Sequence, residues 1–217
     1  FVVTAVRTGD AGALGISLLV IEKGTAGFTV SRKLEKMGWL CSDTAELSFA
    51  DVRVPAANLV DAENRGFAQI AQHFVSERIG LAVQAYASAQ RALDLTVQWC
   101  RSRETFGRPL ISRQRVQHTL AEMACRVEVA RVYTRSIALR ASVGEHDLAK
   151  EACFAKNTAV ATGGWVVDQA VQLHGGMGYL RGAEAERQYR DMRILGIGGG
   201  TTEILTGLSA KLLGYTS

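Results

Sequence analysis

From Arg65 to Gly107 the sequence runs without a proline, and a series of mostly apolar residues in it falls on a single track. Phe67, Ile70, Phe74, Glu77 and Leu81 follow one another at steps of three and four, and Ala85, Ser88, Ala92, Leu95 and Trp99 extend the series. Residues at that spacing stack on one face of an α-helix. A helix this long must bury its stripe along many turns, so the pattern commits the chain to helical packing. Glu77 is the odd member. A carboxylate on a buried stripe is costly unless paired, and a desolvated one suits proton transfer. The simpler alternative is a rim carboxylate paired with Arg78 or a more distant arginine.

Before this helix the pattern is β. Phe1–Arg7, Ile16–Glu22, Phe28–Leu34 and Ala45–Val52 read as strands, separated by the turn-forming TGDAGALG and KGTAG. Four such strands fall short of a complete sandwich, so residues 1–60 are predicted to be the end of a β-barrel or sandwich-like domain. Composition changes over Pro55–Gly66, and residues 61–217 read as a helical domain. After the long helix comes a polar loop, Ser102–Ser112, and a second helix over Gln114–Val143 with Val116, Leu120, Met123, Val127, Ala130 and Ile137 facing inward. A third, capped by Asp147, runs to His174. A short helix over Ala183–Asp191 and a last one ending near Gly214 follow. Long helices with short connections predict an antiparallel four-helix bundle. The fold class is α+β, mostly α.

Several function classes are excluded by what these residues lack. The formal charge of +4 is spread among acidic residues with no basic run, which argues against nucleic acid as a partner. Cys41, Cys100, Cys125 and Cys153 form no CxxC, and His73, His118, His146 and His174 show no ligand spacing, so no metal is assigned. No apolar run is long enough for a membrane span. No GxSxG is present.

Three stretches could carry chemistry. GIGGGTTEI sets glycines before a helix start, where free N–H groups can hold an anion, but without the Lys-Ser/Thr of a P-loop. QLHGGMGY places glycines at a helix C-terminus, which is also ordinary capping. RSRETFGRPL combines cations, an aromatic and a glycine, as a phosphate site or a solvated loop would.

In order, GISLLVIEKGTAGFTVSRKLEKMGWLCSDTAELSFADVRVPAANLV, SERIGLAVQAYASAQRALDLTVQWCRSRETFGRPL, QLHGGMGYLRGAEAERQYRDMRIL and IGGGTTEI strongly resemble the acyl-CoA dehydrogenases over essentially the whole chain. The resemblance implies the end of the middle β-domain followed by the C-terminal helical domain, with the N-terminal helical domain outside this sequence. It implies a flavoenzyme that oxidises an acyl-CoA thioester: a carboxylate takes the α-proton while a hydride leaves the β-carbon for FAD. In the commoner family pattern that carboxylate is the Glu of a YEGT motif, where this chain has Gly198-Gly199-Gly200-Thr201. A minority of the family, the isovaleryl and long-chain types, carries the base on the long helix just before an arginine. That position is Glu77, followed by Arg78.

The resemblance also implies roles for other residues. Arg103, Thr105 and Phe106, helped by Gln114, match residues that reach the FAD pyrophosphate of a neighbouring subunit. Gln172, Gly175 and Gly176 match the segment against the adenosine half of the same FAD. Thr201 and Glu203 match positions beside a flavin, and Phe74 and Arg78 match positions near CoA, with Gly199 lining the substrate. Helix-end capping is the competing reading for Gln114 and Glu203. The implied partners are an electron-transfer flavoprotein and three further copies in a homotetramer, and the implied compartment is the cytoplasm, or the mitochondrial matrix in a eukaryote. The half-finished β-domain and the missing initial Met further predict a piece of a longer enzyme that holds FAD weakly by itself. The alternatives are a non-catalytic oligomerisation module and an acyl-CoA oxidase of the same fold.

Overall fold

The computed structural model describes residues 1–215, and the chain divides into two compact units, Phe1–Phe74 and the part from Val75 onward. In the first, β1 (Val2–Arg7), β2 (Ile16–Ile21), β3 (Phe28–Lys33), β4 (Ala45–Phe49) and β5 (Leu59–Val60) follow in order. β1 and β5 flank β2 in a three-stranded antiparallel sheet, with Val2 opposite Ile21 and Arg7 opposite Ile16. β3 and β4 form a separate antiparallel pair with a register shift between Val30 and Arg32. Its end is set by Phe28 and Phe49, whose stacked rings lie 5.0 Å apart. All four expected strands are present, and the described residues make small open sheets of three and two strands with no closed barrel. Sheets with so few strands cannot close on themselves.

The predicted long helix is a single element, α1 (Gly66–Ser102), of 37 residues. It can begin where it does because Gly66 has no side chain; a Cβ there would lie 2.7 Å from the carbonyl carbon of Ser17 on β2. After α1 come a small hairpin, β6 (Glu104–Thr105) and β7 (Arg108–Pro109), and then α2 (Gln114–Ser142) and α3 (Ala149–His174). α4 (Gly176–Tyr179), α5 (Glu184–Arg193) and α6 (Thr202–Leu212) complete the chain order.

From Val75 onward the helices form a bundle-like core. At one end Ile79 of α1, Ile137 of α2, Leu148 and Ala152 of α3 share a buried cluster. Further along, Trp99 Nε1 of α1 donates to the Leu173 carbonyl of α3 at 3.1 Å, so these two helices run in the same direction. α2 runs against them: its Arg126 lies 4.0 Å over the Trp165 ring of α3, while Ile137 sits at the Ala152 end. α5 meets α3 at Gly163, where an added Cβ would be 2.6 Å from the Met192 sulfur. All six residues expected on the inner face of α2 are buried.

Two local expectations need correction. The buried face of α1 is Ile79, Ala82, Ala85, Ala89, Ala92, Leu93, Thr96 and Cys100, roughly a quarter turn from the predicted stripe. The alanines let neighbouring backbones approach, so the small-residue face packs closest. Leu81, Leu95 and Trp99 flank it half-buried, and Phe67 and Glu77 are exposed. Asp147 does not cap α3. It takes a positive φ of 66°, and Leu148, 2% exposed in the core cluster, occupies the N-cap position without a side-chain cap. Packing of that leucine, not a capping hydrogen bond, sets where α3 starts. No described helix is long and apolar enough to cross a membrane.

Candidate active site

Glu77 is not buried on the apolar stripe as its spacing suggested; its side chain is exposed on the flank of α1. What stands beside it is the glycine-rich turn that leads into α6. A Cβ built on Gly199 would be 3.6 Å from Glu77 Oε1 and 2.4 Å from Leu81 Cδ1. Gly199 and Gly200 have φ values of +65° and +96°, a backbone that residues with a Cβ rarely adopt. The turn can therefore come close to the Glu77 carboxylate only because it is built of glycine. Arg78, next along α1, is buried at 7% exposed.

The third group at this place escaped the sequence reading. Lys156 of α3 is completely buried, and its Nζ donates to the carbonyl of Gly200. Burial pushes its ammonium below the usual lysine range, Arg78 pushes in the same direction, and the Glu77 charge opposes both. The signal was in the sequence. Ala152, Lys156, Ala159 and Gly163 follow one another at steps of four, three and four, a cation on an apolar stripe just as Glu77 seemed a carboxylate on one.

Beyond the turn, Thr201 caps α6, its hydroxyl accepting from the Ile204 amide at 3.3 Å. Glu203 lies exposed in the first turn of α6. Its own backbone N–H and the Thr201 hydroxyl hold its carboxyl below the usual carboxylate range.

The second constellation is the β6–β7 hairpin, expected as a plain loop. Phe106 and Gly107 form its turn with φ values of 49° and 76°, the paired positive φ of a tight hairpin connection. Phe106 is 97% exposed. Arg113, also missed by the sequence reading, fastens the hairpin: Nη2 donates to the Thr105 carbonyl at 2.5 Å and to its hydroxyl at 3.1 Å. The same guanidinium lies 5.5 Å from the Phe106 ring centre. Arg103 is exposed and lies 5.9 Å over Trp99, whose ring stacks on His174 at 5.2 Å. That chain of rings brings the hairpin entry beside the end of α3, where Gly175 ends the helix with φ 61° and ψ −142°. Gln114, Gln172, Gly175 and Gly176 are all exposed, Gln114 as the first residue of α2 and Gly176 as the first of α4. Phe74 is half-buried on α1, three residues before Glu77.

The geometry thus offers an exposed carboxylate against a glycine turn over a buried cation, and an exposed cationic and aromatic hairpin next to a helix end. Comparison with known proteins places both in context. Residues 64–214 match the family model described as acyl-CoA dehydrogenase, C-terminal domain. A Mycobacterium smegmatis protein, whose crystal structure carries a provisional acyl-CoA dehydrogenase description, is 70% identical with a TM-score of 0.97 over 99% of this chain and 56% of that one. Butyryl-CoA dehydrogenase from Megasphaera elsdenii is 34% identical with a TM-score of 0.92, over 97% of this chain and 55% of that one. Acryloyl-CoA reductase (NADH) from Anaerotignum propionicum is 38% identical over 94% of this chain and 51% of its own length. The chain spans about half the length of these relatives. It belongs to the acyl-CoA dehydrogenase family, whose C-terminal domain it contains.

Proposed function

We propose that this chain is the C-terminal part of an FAD-dependent acyl-CoA dehydrogenase in which Glu77 removes the α-proton of the thioester. The observation that carries this reading is the juxtaposition of Glu77 with Gly199. Where the commoner family pattern has a glutamate on the turn, this chain has a glycine, and a carboxylate from the neighbouring helix stands at 3.6 Å from the Cβ position. One volume beside the turn is served from α1 instead of from the turn itself. An exposed carboxylate there can meet a thioester entering from solvent.

The residues fit a bound FAD. Arg103 and Phe106 are exposed on a hairpin held rigid by Arg113, an arrangement suited to a pyrophosphate. Arg103, Thr105 and Phe106, with Gln114, would hold the diphosphate of a neighbouring copy's cofactor. Gln172, Gly175 and Gly176 would lie along its adenosine half, and Thr201 and Glu203 beside a flavin. When bound, FAD supplies the acceptor for the hydride from the β-carbon. Glu77 takes the α-proton on its carboxylate, Gly199 keeps the space beside it open, and Phe74 and Arg78 lie on the CoA side.

The residue span 61–217 corresponds to the helical domain of this enzyme and 1–60 to the end of its middle β-domain. The natural electron acceptor is an electron-transfer flavoprotein, and the enzyme assembles as a homotetramer, a dimer of dimers. The assembly is supported by the outer face of α2 and its C-cap residue, where Val129, Val132, Leu139 and Val143 are exposed at helical spacing, an apolar stripe of the kind that marks interfaces.

The test is anaerobic mixing of the holoenzyme with acyl-CoA thioesters of varied length and branching, followed by flavin absorbance. The flavin band should bleach with at least one thioester, and admitting air should re-oxidise the flavin only slowly. A flavin that no thioester reduces would support the oligomerisation module instead, and rapid re-oxidation with continuous peroxide release during turnover in air would support an oxidase.

A further inference from the structure

Lys156 is the largest of the fully buried side chains. An ammonium is costly to bury without partners, so a lysine inside a helical core needs a reason that an aliphatic residue of similar length would not meet. The reason lies in what it touches. Its Nζ donates to the Gly200 carbonyl, while the adjacent Asn157 donates to the Thr202 carbonyl at 3.2 Å and to the Thr206 hydroxyl at 3.3 Å. One turn of α3 thus grips the glycine turn and the start of α6 together. The glycine turn needs gripping. Gly198-Gly199-Gly200 carries no side chains to anchor it, and glycine has the widest conformational freedom of any residue. Yet Gly199 must stay within about a side chain's width of Glu77 for the carboxylate to act there.

We propose that Lys156 is a positioning residue for proton abstraction: by pinning the Gly200 carbonyl it fixes the glycine turn against Glu77 and keeps the space for the thioester at constant width. The inference rests on the reading of Glu77 as the base. Misplacement of a reacting group by an ångström can lower a rate a hundredfold, so an unanchored turn should be visible in the chemical step.

The test uses the holoenzyme with Lys156→Met, which keeps length but removes donor and charge, and Lys156→Arg, which keeps both. In Lys156→Met the limiting rate of flavin reduction at saturating thioester should fall by about 30-fold or more, while thioester affinity changes less than about threefold and FAD is retained. Lys156→Arg should restore a substantial part of that rate. Hydrogen exchange should accelerate by about tenfold or more at the amides of residues 198–202 in Lys156→Met, with α3 itself unchanged. A Met variant that reduces its flavin at the wild-type rate with unaltered exchange at the turn overturns the proposal. So does failure of both variants to fold, because Lys156 would then serve the core and not the turn. Glu77→Gln measured in parallel separates the two ideas. If that variant still reduces its flavin, the base assignment fails, and the exchange data alone decide whether Lys156 pins the turn.

Discussion

The turn beside Glu77 and the β6–β7 hairpin are both built around positive-φ glycines and both carry cations, yet the resemblance ends there. At the first, the cation is Lys156, wholly buried and donating inward to the backbone. At the second, Arg103 lies exposed across an aromatic face, and Arg113 holds the hairpin from below. The glycines differ in the same way. A Cβ on Gly199 would meet Leu81 Cδ1 at 2.4 Å, whereas one on Gly107 would meet nothing within 4 Å. The first region spends its polar groups on holding its own geometry, as a reacting centre requires. The second holds its frame with one arginine and presents the rest outward, as a ligand clamp requires.

Substitutions can break this comparison, and the largest effect should come from Gly199→Ala. It forces a Cβ into the left-handed region and displaces the tip of Leu81, for an expected loss of about 3 kcal/mol in unfolding free energy by denaturant titration. Flavin reduction should fall with it, since the displaced volume borders Glu77. Arg103→Ala should act on the cofactor and not on the fold. FAD affinity is expected to drop on the order of tenfold to a hundredfold by fluorescence titration, with little change in Tm. Smallest is Gly107→Ala, where only the backbone conformation is penalised because the space is open, for about 1 kcal/mol in the same denaturant titration. Equal losses at Gly199 and Gly107 would mean that close approach is irrelevant at the first turn.

Much of the helical unit was legible because long periodic segments are decided by burial. The inner face of α2 was read residue by residue, and α1 was read as one helix. The facing of α1 was misread because large apolar side chains were given more weight than alanine. Ala85 and Ala92 of the predicted stripe are buried, but the face turns from there toward Ala82 and Ala89, which were left out of it. The hairpin was missed because two-residue strands carry no period, and what fixes them is Arg113, eight residues from its acceptor Thr105. Lys156 could have been found by the argument applied to Glu77, a charge at helical spacing among alanines, but its partner Gly200 lies 44 residues away. No local pattern predicts that pairing. The pairing of Glu77 with Gly199 was anticipated only through the family resemblance, for the same reason.

The central claim is that Glu77 is the proton acceptor and Glu203, the other carboxylate near the glycine turn, is not. Hydrogen bonds at the start of α6 hold the Glu203 carboxyl below the usual carboxylate range, which makes it the poorer proton acceptor. The direct measurement is the rate of flavin reduction by a reactive acyl-CoA, followed by stopped-flow absorbance in the Glu77→Gln and Glu203→Gln holoenzymes. Glu77→Gln should lose about a thousandfold or more, with FAD and thioester still bound, while Glu203→Gln should stay within about threefold of the wild type. A Glu77→Gln enzyme that reduces its flavin at near the wild-type rate, or a Glu203→Gln enzyme that is dead with FAD in place, would contradict the assignment.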